Sequence, residues 1–242
     1  MSKRVLVVGG SKEFPGAVYL AAIAALRAGA ESVIVMAPEK VAWALNTMSP
    51  DLMTVKLPGE YLLPEHEPAI QEKLKTADIL LLGNGVTTRE ETSGLMRSLM
   101  TWNGQKVIDA DALKALTDDR TNDAILTPNP REWELLEKQN NIPALLKKNV
   151  IIVKKGTPTT VLAEKSEPAS YEADPGLDKA GTGDVLAGLI TGFLAGGLSP
   201  AEAIKKALET GNMIAEILTE KKQGYYFLAS DIVEEMGRVQ TT

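Results

Sequence analysis

The chain has no cysteine. That absence excludes disulfides, thiolate catalysis and cysteine zinc sites, and it fits a reducing, cytoplasmic setting. His66 is the only histidine. A serine–histidine–aspartate triad would have to use it, and it stands in LPEHEPA, a proline- and glutamate-rich loop, so no such triad is expected. Net positive charge is lacking too. At −6 overall, the chain has no general pull toward nucleic acid or an anionic membrane surface, and neither is an expected partner. Long apolar runs are also missing. The basic start MSKR leads into an apolar run too short for the h-region of a signal peptide. The longest apolar stretch, Val185 to Leu198, is too short and too rich in glycine to span a bilayer.

What is present is enough apolar material, 44% of 242 residues, for the core of one α/β domain. Short β-branched runs alternate with helical patterns. Strands are expected at 4–8, 32–37, 52–57, 78–83, 105–110, 124–128 and 149–156, with 159–165 as a hairpin partner of the last. Helices are expected at 17–28, 41–47, 68–76, 88–102, from 111 to 116, at 131–138, and from near Thr182, Pro200 and Ser230. The strands are apolar on both faces, which predicts a mostly parallel sheet covered by helices on both sides, with an antiparallel edge hairpin. In such sheets ligands bind beyond the carboxyl ends of the strands.

Those ends carry the chemistry. GGSKEFPGA (9–17) lacks both the G-x-G-x-x-G spacing and the Walker A lysine, yet it opens a helix with glycines; it is a tight turn or a ligand loop. In GNGVTT (83–88), Gly83 and Gly85 allow close backbone approach. In DADAL (109–113), Asp111 suits a helix cap and Asp109 is the better ligand candidate. TPNPREWELL (127–136) holds Asn129 between two prolines, and Glu132 can cap, face solvent or bind a ligand. KKGTPTT (154–160) is either a nucleotide loop or a plain hairpin.

DKAGTGDVLAGLITGFLAGG (178–197) is the sharpest stretch. Gly181 and Gly183 permit unusual backbone angles, Thr182 adds a hydroxyl, and the helix that follows turns its free N–H groups to the loop. Such an anion hole favours the charge of a phosphoryl group in transit. Asp184 is then placed to orient a substrate hydroxyl and accept its proton. The helix dipole is expected to keep Asp184 ionised, a weak base that accepts its proton late.

AGTGDVLAGLITGFLAGGLSPAEA (180–203) resembles the signature of the ADP- or ATP-dependent NAD(P)H-hydrate dehydratases, a branch of the ribokinase-like superfamily. GGSKEFPGAVYLAAIAALRAGAESVIV, GNGVTT, DADAL, TPNPREWELL, KKGTPTTVLA and LASDIVEEM follow in that family's order. The resemblance implies one ribokinase-like domain over residues 1–242. It also implies repair of hydrated NADH or NADPH by phosphorylation of the ring hydroxyl and elimination of phosphate. Mg2+ and ADP or ATP are implied as helpers, and Asp184 as the catalytic acid/base. Gly181, Thr182 and Gly183 become the phosphate hole, and Lys155, Gly156, Thr157, Pro158 and Thr159 the nucleotide segment. Ala17, Gly83, Gly85 and Asn129 become substrate contacts, with Asp109 and Glu132 as further candidates. Homo-oligomers are common in the family, and an epimerase, often fused there, is expected here as a separate protein.

The chain departs from the pattern at Phe14, Lys114, Asn129, Lys179 and Glu209, and GNGVTT lacks the family's proline and final glycine. A small-molecule kinase of the same fold, acting on a thiazole alcohol or a sugar, is one alternative. A non-catalytic nucleotide-binding protein is another.

Overall fold

The computed structural model describes residues 3–117 and 121–238. The chain opens with β1 (Arg4–Val8), α1 (Pro15–Arg27), β2 (Ser32–Pro38), α2 (Glu39–Met48) and β3 (Met53–Leu57). Next come α3 (Glu67–Leu74), β4 (Ile79–Leu82), α4 (Glu90–Leu99), β5 (Gln105–Ile108), α5 (Asp111–Ala115) and β6 (Ala124–Leu126). Then follow α6 (Pro130–Gln139), α7 (Ile142–Leu146), β7 (Val150–Lys154), β8 (Thr159–Leu162) and β9 (Ala169–Tyr171). Three helices close the described chain: α8 (Thr182–Ala195), α9 (Pro200–Lys221) and α10 (Ala229–Met236).

Among the described residues nine strands form one sheet, in the order β3-β2-β1-β4-β5-β6-β7-β8-β9. The pairs from β3 to β7 are parallel, and β8 and β9 add antiparallel at one edge. Both faces are buried, and the period-two alternation of each strand feeds two cores. Val5, Val7, Ile79 and Leu81 face the core under α1, α2, α8, α9 and α10. Leu6, Val8, Leu80 and Leu82 face the other, under α3 to α7. Among the described residues no helix is long and apolar enough to cross a membrane.

Element bounds shift where local chemistry intervenes. The first helix begins at Pro15, not Ala17, because proline's fixed φ suits the first helical turn. The helix expected at 88–102 spans only Glu90–Leu99, since Arg89 is extended at φ −62°, ψ 143°. Helix α7 and strand β9 are additions that the hydrophobic pattern does not announce. One is a five-residue turn of IPALL; the other is a three-residue edge strand, mostly exposed.

The glycine-spotted α8 packs on α1 of the same chain. A Cβ at Gly188 would stand 2.3 Å from the Ala21 carbonyl oxygen, and one at Gly192 would stand 2.3 Å from that of Ala25. Two helices therefore touch nearly backbone to backbone, and this contact sets where the N-terminus of α8 sits. Gly188→Val is expected to destabilise the protein by about 2 kcal/mol or more, as overpacking does. Gly16→Ala, in open space, is expected to stay within ~0.5 kcal/mol. Urea unfolding of both variants checks the contrast.

Candidate active site

Strands β4, β5, β6 and β7 are neighbours, and the chain just beyond each one keeps the ladder's spacing. The Asp109 N–H donates to the Leu82 carbonyl (3.0 Å), Thr127 N–H to Ile108 (3.2 Å) and Lys155 N–H to Pro128 (2.8 Å). Side chains from four successive strand ends thus converge on one point. Asp109 Oδ1 accepts from Thr127 Oγ1 (2.7 Å) and from Lys155 Nζ (2.8 Å). Asp109 Oδ2 accepts from Asn84 Nδ2 at 3.0 Å. The same Nδ2 donates to Asp184 Oδ1 at 2.7 Å, joining the strand ends to helix α8.

The start of α8 is built for an anion. Gly181, its N-cap, has φ +88°, a left-handed conformation that favours glycine, and it has no side chain with which to cap the helix. The Thr182 N–H is taken by the Lys179 carbonyl. Those of Gly183 and Asp184 lie in the first turn, where no intrahelical partner exists. A Cβ at Gly183 would stand 2.9 Å from Lys155 Nζ, so glycine is what lets the ammonium sit beside those amides. Two amides, a helix dipole and an ammonium together favour negative charge there.

Three carboxylates share that one ammonium. Burial, then the Asp109 charge, raises the Asp184 pKa from 3.8 to about 7; the Asn84 hydrogen bond and Lys155 oppose this. The expectation of a fully ionised Asp184 is therefore corrected. The helix dipole is outweighed because folding brings a second carboxylate against it in a poorly hydrated place. Burial also raises Glu132, with Lys155 and the Asn129 N–H pulling the other way. At Lys155 burial works against the charge, but Asp109, Glu132 and Asp184 prevail and hold its pKa above the usual lysine value.

These groups line a cavity of about 670 Å³. Of the residues expected at the site, Asp109, Asn129, Glu132, Lys155, Gly156, Thr157, Thr159, Gly181, Thr182, Gly183 and Asp184 line it. Pro158, Ala17, Gly83 and Gly85 are not among the lining residues. A Cβ at Gly83 would meet the Asp109 carbonyl, and one at Gly85 would meet Phe14 and Ala17, so both glycines let neighbouring elements approach closely. The Thr182 hydroxyl turns back to the Lys179 carbonyl (2.7 Å) and that of Leu177, which stiffens the loop. Asn129 and Glu132 form a reciprocal helix cap, each side chain accepting from the other's N–H at 2.9 Å.

Several departures from the related pattern have local partners. Lys179 donates to the Tyr225 and Phe227 carbonyls, tying the α8 loop to the segment before α10. Lys114 pairs with Asp111 at 2.7 Å, and Glu209 with Lys205 at 3.7 Å on the surface. Phe14 is half exposed. His66 is buried in a short turn, its Nδ1 accepting from the Leu63 N–H (3.0 Å), and is not among the cavity residues.

Sequence reasoning missed Asn84, Thr127 and Asn212. The first two stand one or two residues past strand ends, a position that could have flagged them. Asn212 on α9 pins the segment after β9: its Oδ1 accepts from the Asp174 N–H (2.9 Å) and its Nδ2 donates to the Glu172 carbonyl (2.7 Å). It carries no local signal.

Residues 5–238 match the family profile described as NAD(P)H-hydrate dehydratase. The chain belongs to the NAD(P)H-hydrate dehydratase family. The bifunctional NAD(P)H-hydrate repair enzyme Nnr of Pyrobaculum aerophilum is 32% identical to this dehydratase-family chain over 251 residues, 98% of this chain and 50% of that protein. The chain spans about half the length of the first curated relatives it matches. A ribokinase-like superfamily protein of Enterococcus faecalis superimposes with a TM-score of 0.82 at 24% identity, covering 98% of this chain and 86% of that one. The ADP/ATP-dependent NAD(P)H-hydrate dehydratase of Bacillus subtilis, co-crystallised with ATP/Mg2+ and soaked with CoA, gives 0.79 at 22% identity, covering 98% and 92%. The dehydratase-family chain therefore has the ribokinase-like fold.

A carboxyl raised from 3.8 to about 7 by folding leaves the folded chain holding a proton that the unfolded chain has lost. Stability then falls as pH rises through that window, and the whole deficit is present above it. Asp184→Asn removes the deficit. Its melting temperature at pH 8 is expected to exceed the parent's by several degrees, and at pH 4 to differ little; thermal unfolding at the two pH values checks this.

Proposed function

We propose that this chain is an ADP- or ATP-dependent dehydratase that repairs hydrated NADH or NADPH. The observation that carries the reading is the meeting of Asp184, two open helix amides and Lys155 at one wall of the cavity. The amides of Gly183 and Asp184 and the Lys155 ammonium take the oxygens of the terminal phosphoryl group. Asp184 accepts the proton of the substrate's ring hydroxyl as that oxygen bonds to phosphorus and the bond to the nucleotide's bridging oxygen breaks. Hydroxide is a poor leaving group and phosphate a good one. Electrons from the ring nitrogen then support loss of phosphate, and loss of a proton from the neighbouring ring carbon restores the double bond. A base with a pKa of about 7 suits this task better than a permanently ionised one.

The nucleotide is placed along Lys155, Gly156, Thr157 and Thr159, with the apolar cavity wall of Leu186, Leu189 and Ile232 beyond. The ADP-dependent dehydratase of Nitrosopumilus maritimus and the ATP/Mg2+ co-crystallised with the Bacillus subtilis dehydratase support an adenine nucleotide as co-substrate. Magnesium sites on phosphate-transfer enzymes commonly need one or two carboxylates, the phosphates themselves supplying the rest. Among the described residues no group of three or more acidic or histidine side chains forms a cage. The ion when bound would neutralise phosphate charge and take most of its ligands from the phosphates and water, since Asp109 is already held by Thr127, Lys155 and Asn84 and Glu132 caps α6. Hydrated NAD(P)H arises where NAD(P)H is used, so the proposed setting is the cytoplasm.

Incubation with hydrated NADH, magnesium and ADP or ATP is expected to return absorbance at the NADH band. Unchanged absorbance, with nucleotide consumed on another alcohol, would favour a kinase instead. Asp184→Asn is expected to lower kcat by ~10²–10⁴ while nucleotide affinity stays within about threefold; a parallel collapse of affinity would count against a chemical role. In the parent, kcat/KM is expected to rise with pH through about 7 as Asp184 loses its proton.

A further inference from the structure

We propose that Asn84 is a positioning residue for phosphoryl transfer: its amide clamps the Asp184 carboxylate to the Asp109–Lys155 pair and fixes which oxygen of Asp184 faces the substrate. This rests on the reaction proposed above. Asn84 is fully buried just past β4, and its backbone is held from both sides. Its carbonyl accepts from the Gly10 N–H at 2.8 Å. Flanking Gly83 (φ +117°) and Gly85 (φ +74°) are in left-handed conformations, each pressed against a neighbouring loop.

The orientation of the amide follows from its surroundings. Nδ2 has two N–H groups and meets two carboxylates, Asp109 Oδ2 at 3.0 Å and Asp184 Oδ1 at 2.7 Å. A flipped amide would set its carbonyl oxygen against both, so only one orientation is favourable. Two carboxylates brought this close repel unless a donor stands between them. Lys155 satisfies Asp109 Oδ1, and Asn84 supplies the hydrogen bond to Asp184. With Oδ1 held, Asp184 Oδ2 is left for the substrate hydroxyl.

The groups facing Asp184 are Asp109 beyond β5, Lys155 beyond β7, Glu132 on α6 and Asn84 beyond β4. Asp109 and Glu132 favour its protonated form; Asn84 and Lys155 favour the ionised form. Removing Asn84 therefore pushes the carboxyl toward holding its proton.

The test uses Asn84→Ala. Two readouts are taken: the pH profile of kcat with hydrated NADH, and the ligand-free titration of the Asp184 carboxyl by carbon-13 NMR, its signal assigned by its loss in Asp184→Asn. The acid limb and the NMR midpoint are both expected to move about one unit to higher pH. At pH 7 kcat is expected to fall about fivefold as the ionised fraction of Asp184 drops, with the nucleotide KM within twofold. Circular dichroism confirms folding; should Asn84→Ala not fold, Asn84→Ser, which keeps a small polar group but cannot donate to both carboxylates with one hydroxyl hydrogen, carries the same readouts. A lowered kcat with both midpoints unmoved would overturn the proposal. A parent enzyme inactive on the hydrate would sink the reaction, while the NMR midpoints would still decide whether Asn84 governs Asp184.

Discussion

One ammonium serving three carboxylates is the constraint on which the site depends. Lys155 is bonded to Asp109, whose side chain is almost fully buried, and it faces Glu132 and Asp184 as well. The cluster carries more negative than positive charge before any ligand arrives, yet it sits beside helix amides that attract an anion. The tension is resolved by protonation: Asp184, pushed up to about 7, can give up its charge when the balance demands it. Because Lys155 is the shared counter-charge, removing it would leave Asp109 buried and uncompensated, which is costlier than losing a surface pair.

That arrangement needs a helix terminus held to within an ångström or so, and the α1–α8 contact supplies it. Gly188 and Gly192 lie against the carbonyls of Ala21 and Ala25 with no room for a side chain. The same α1 begins beside the glycine loop after β1, and a Cβ at Gly181 would stand 2.8 Å from Leu20 of α1. Helix packing and loop conformation are thus one construction, and the anion site is its open end. Asp184, in the first turn of α8, inherits its position from contacts made farther along both helices.

Legibility from sequence was uneven, for physical reasons. Strands such as DILLLG are readable because apolar residues on both faces leave an unbroken run, which only a doubly covered sheet accounts for well. The GTGD loop is readable because glycine, hydroxyl and acid at a helix start are a local pattern. Strand β9 is not: three mostly exposed residues pair only because β8 presents a free edge. Gly83 and Gly85 were legible as points of close approach, and the neighbouring elements that crowd them are brought there by the fold.

By itself the sequence determined the alternation of strands and helices, the parallel sheet with its antiparallel edge, and the glycine-framed acid at a helix mouth. Each of these is written in neighbouring residues through backbone preference and side-chain periodicity. Only the tertiary structure decided the raised pKa of Asp184 and the place of Asn84 between two carboxylates. Asn84, Asp109, Thr127, Lys155 and Asp184 are remote in the chain and meet only through strand order. Electrostatic energy depends on separation through space and on exclusion of water, neither of which a linear pattern contains.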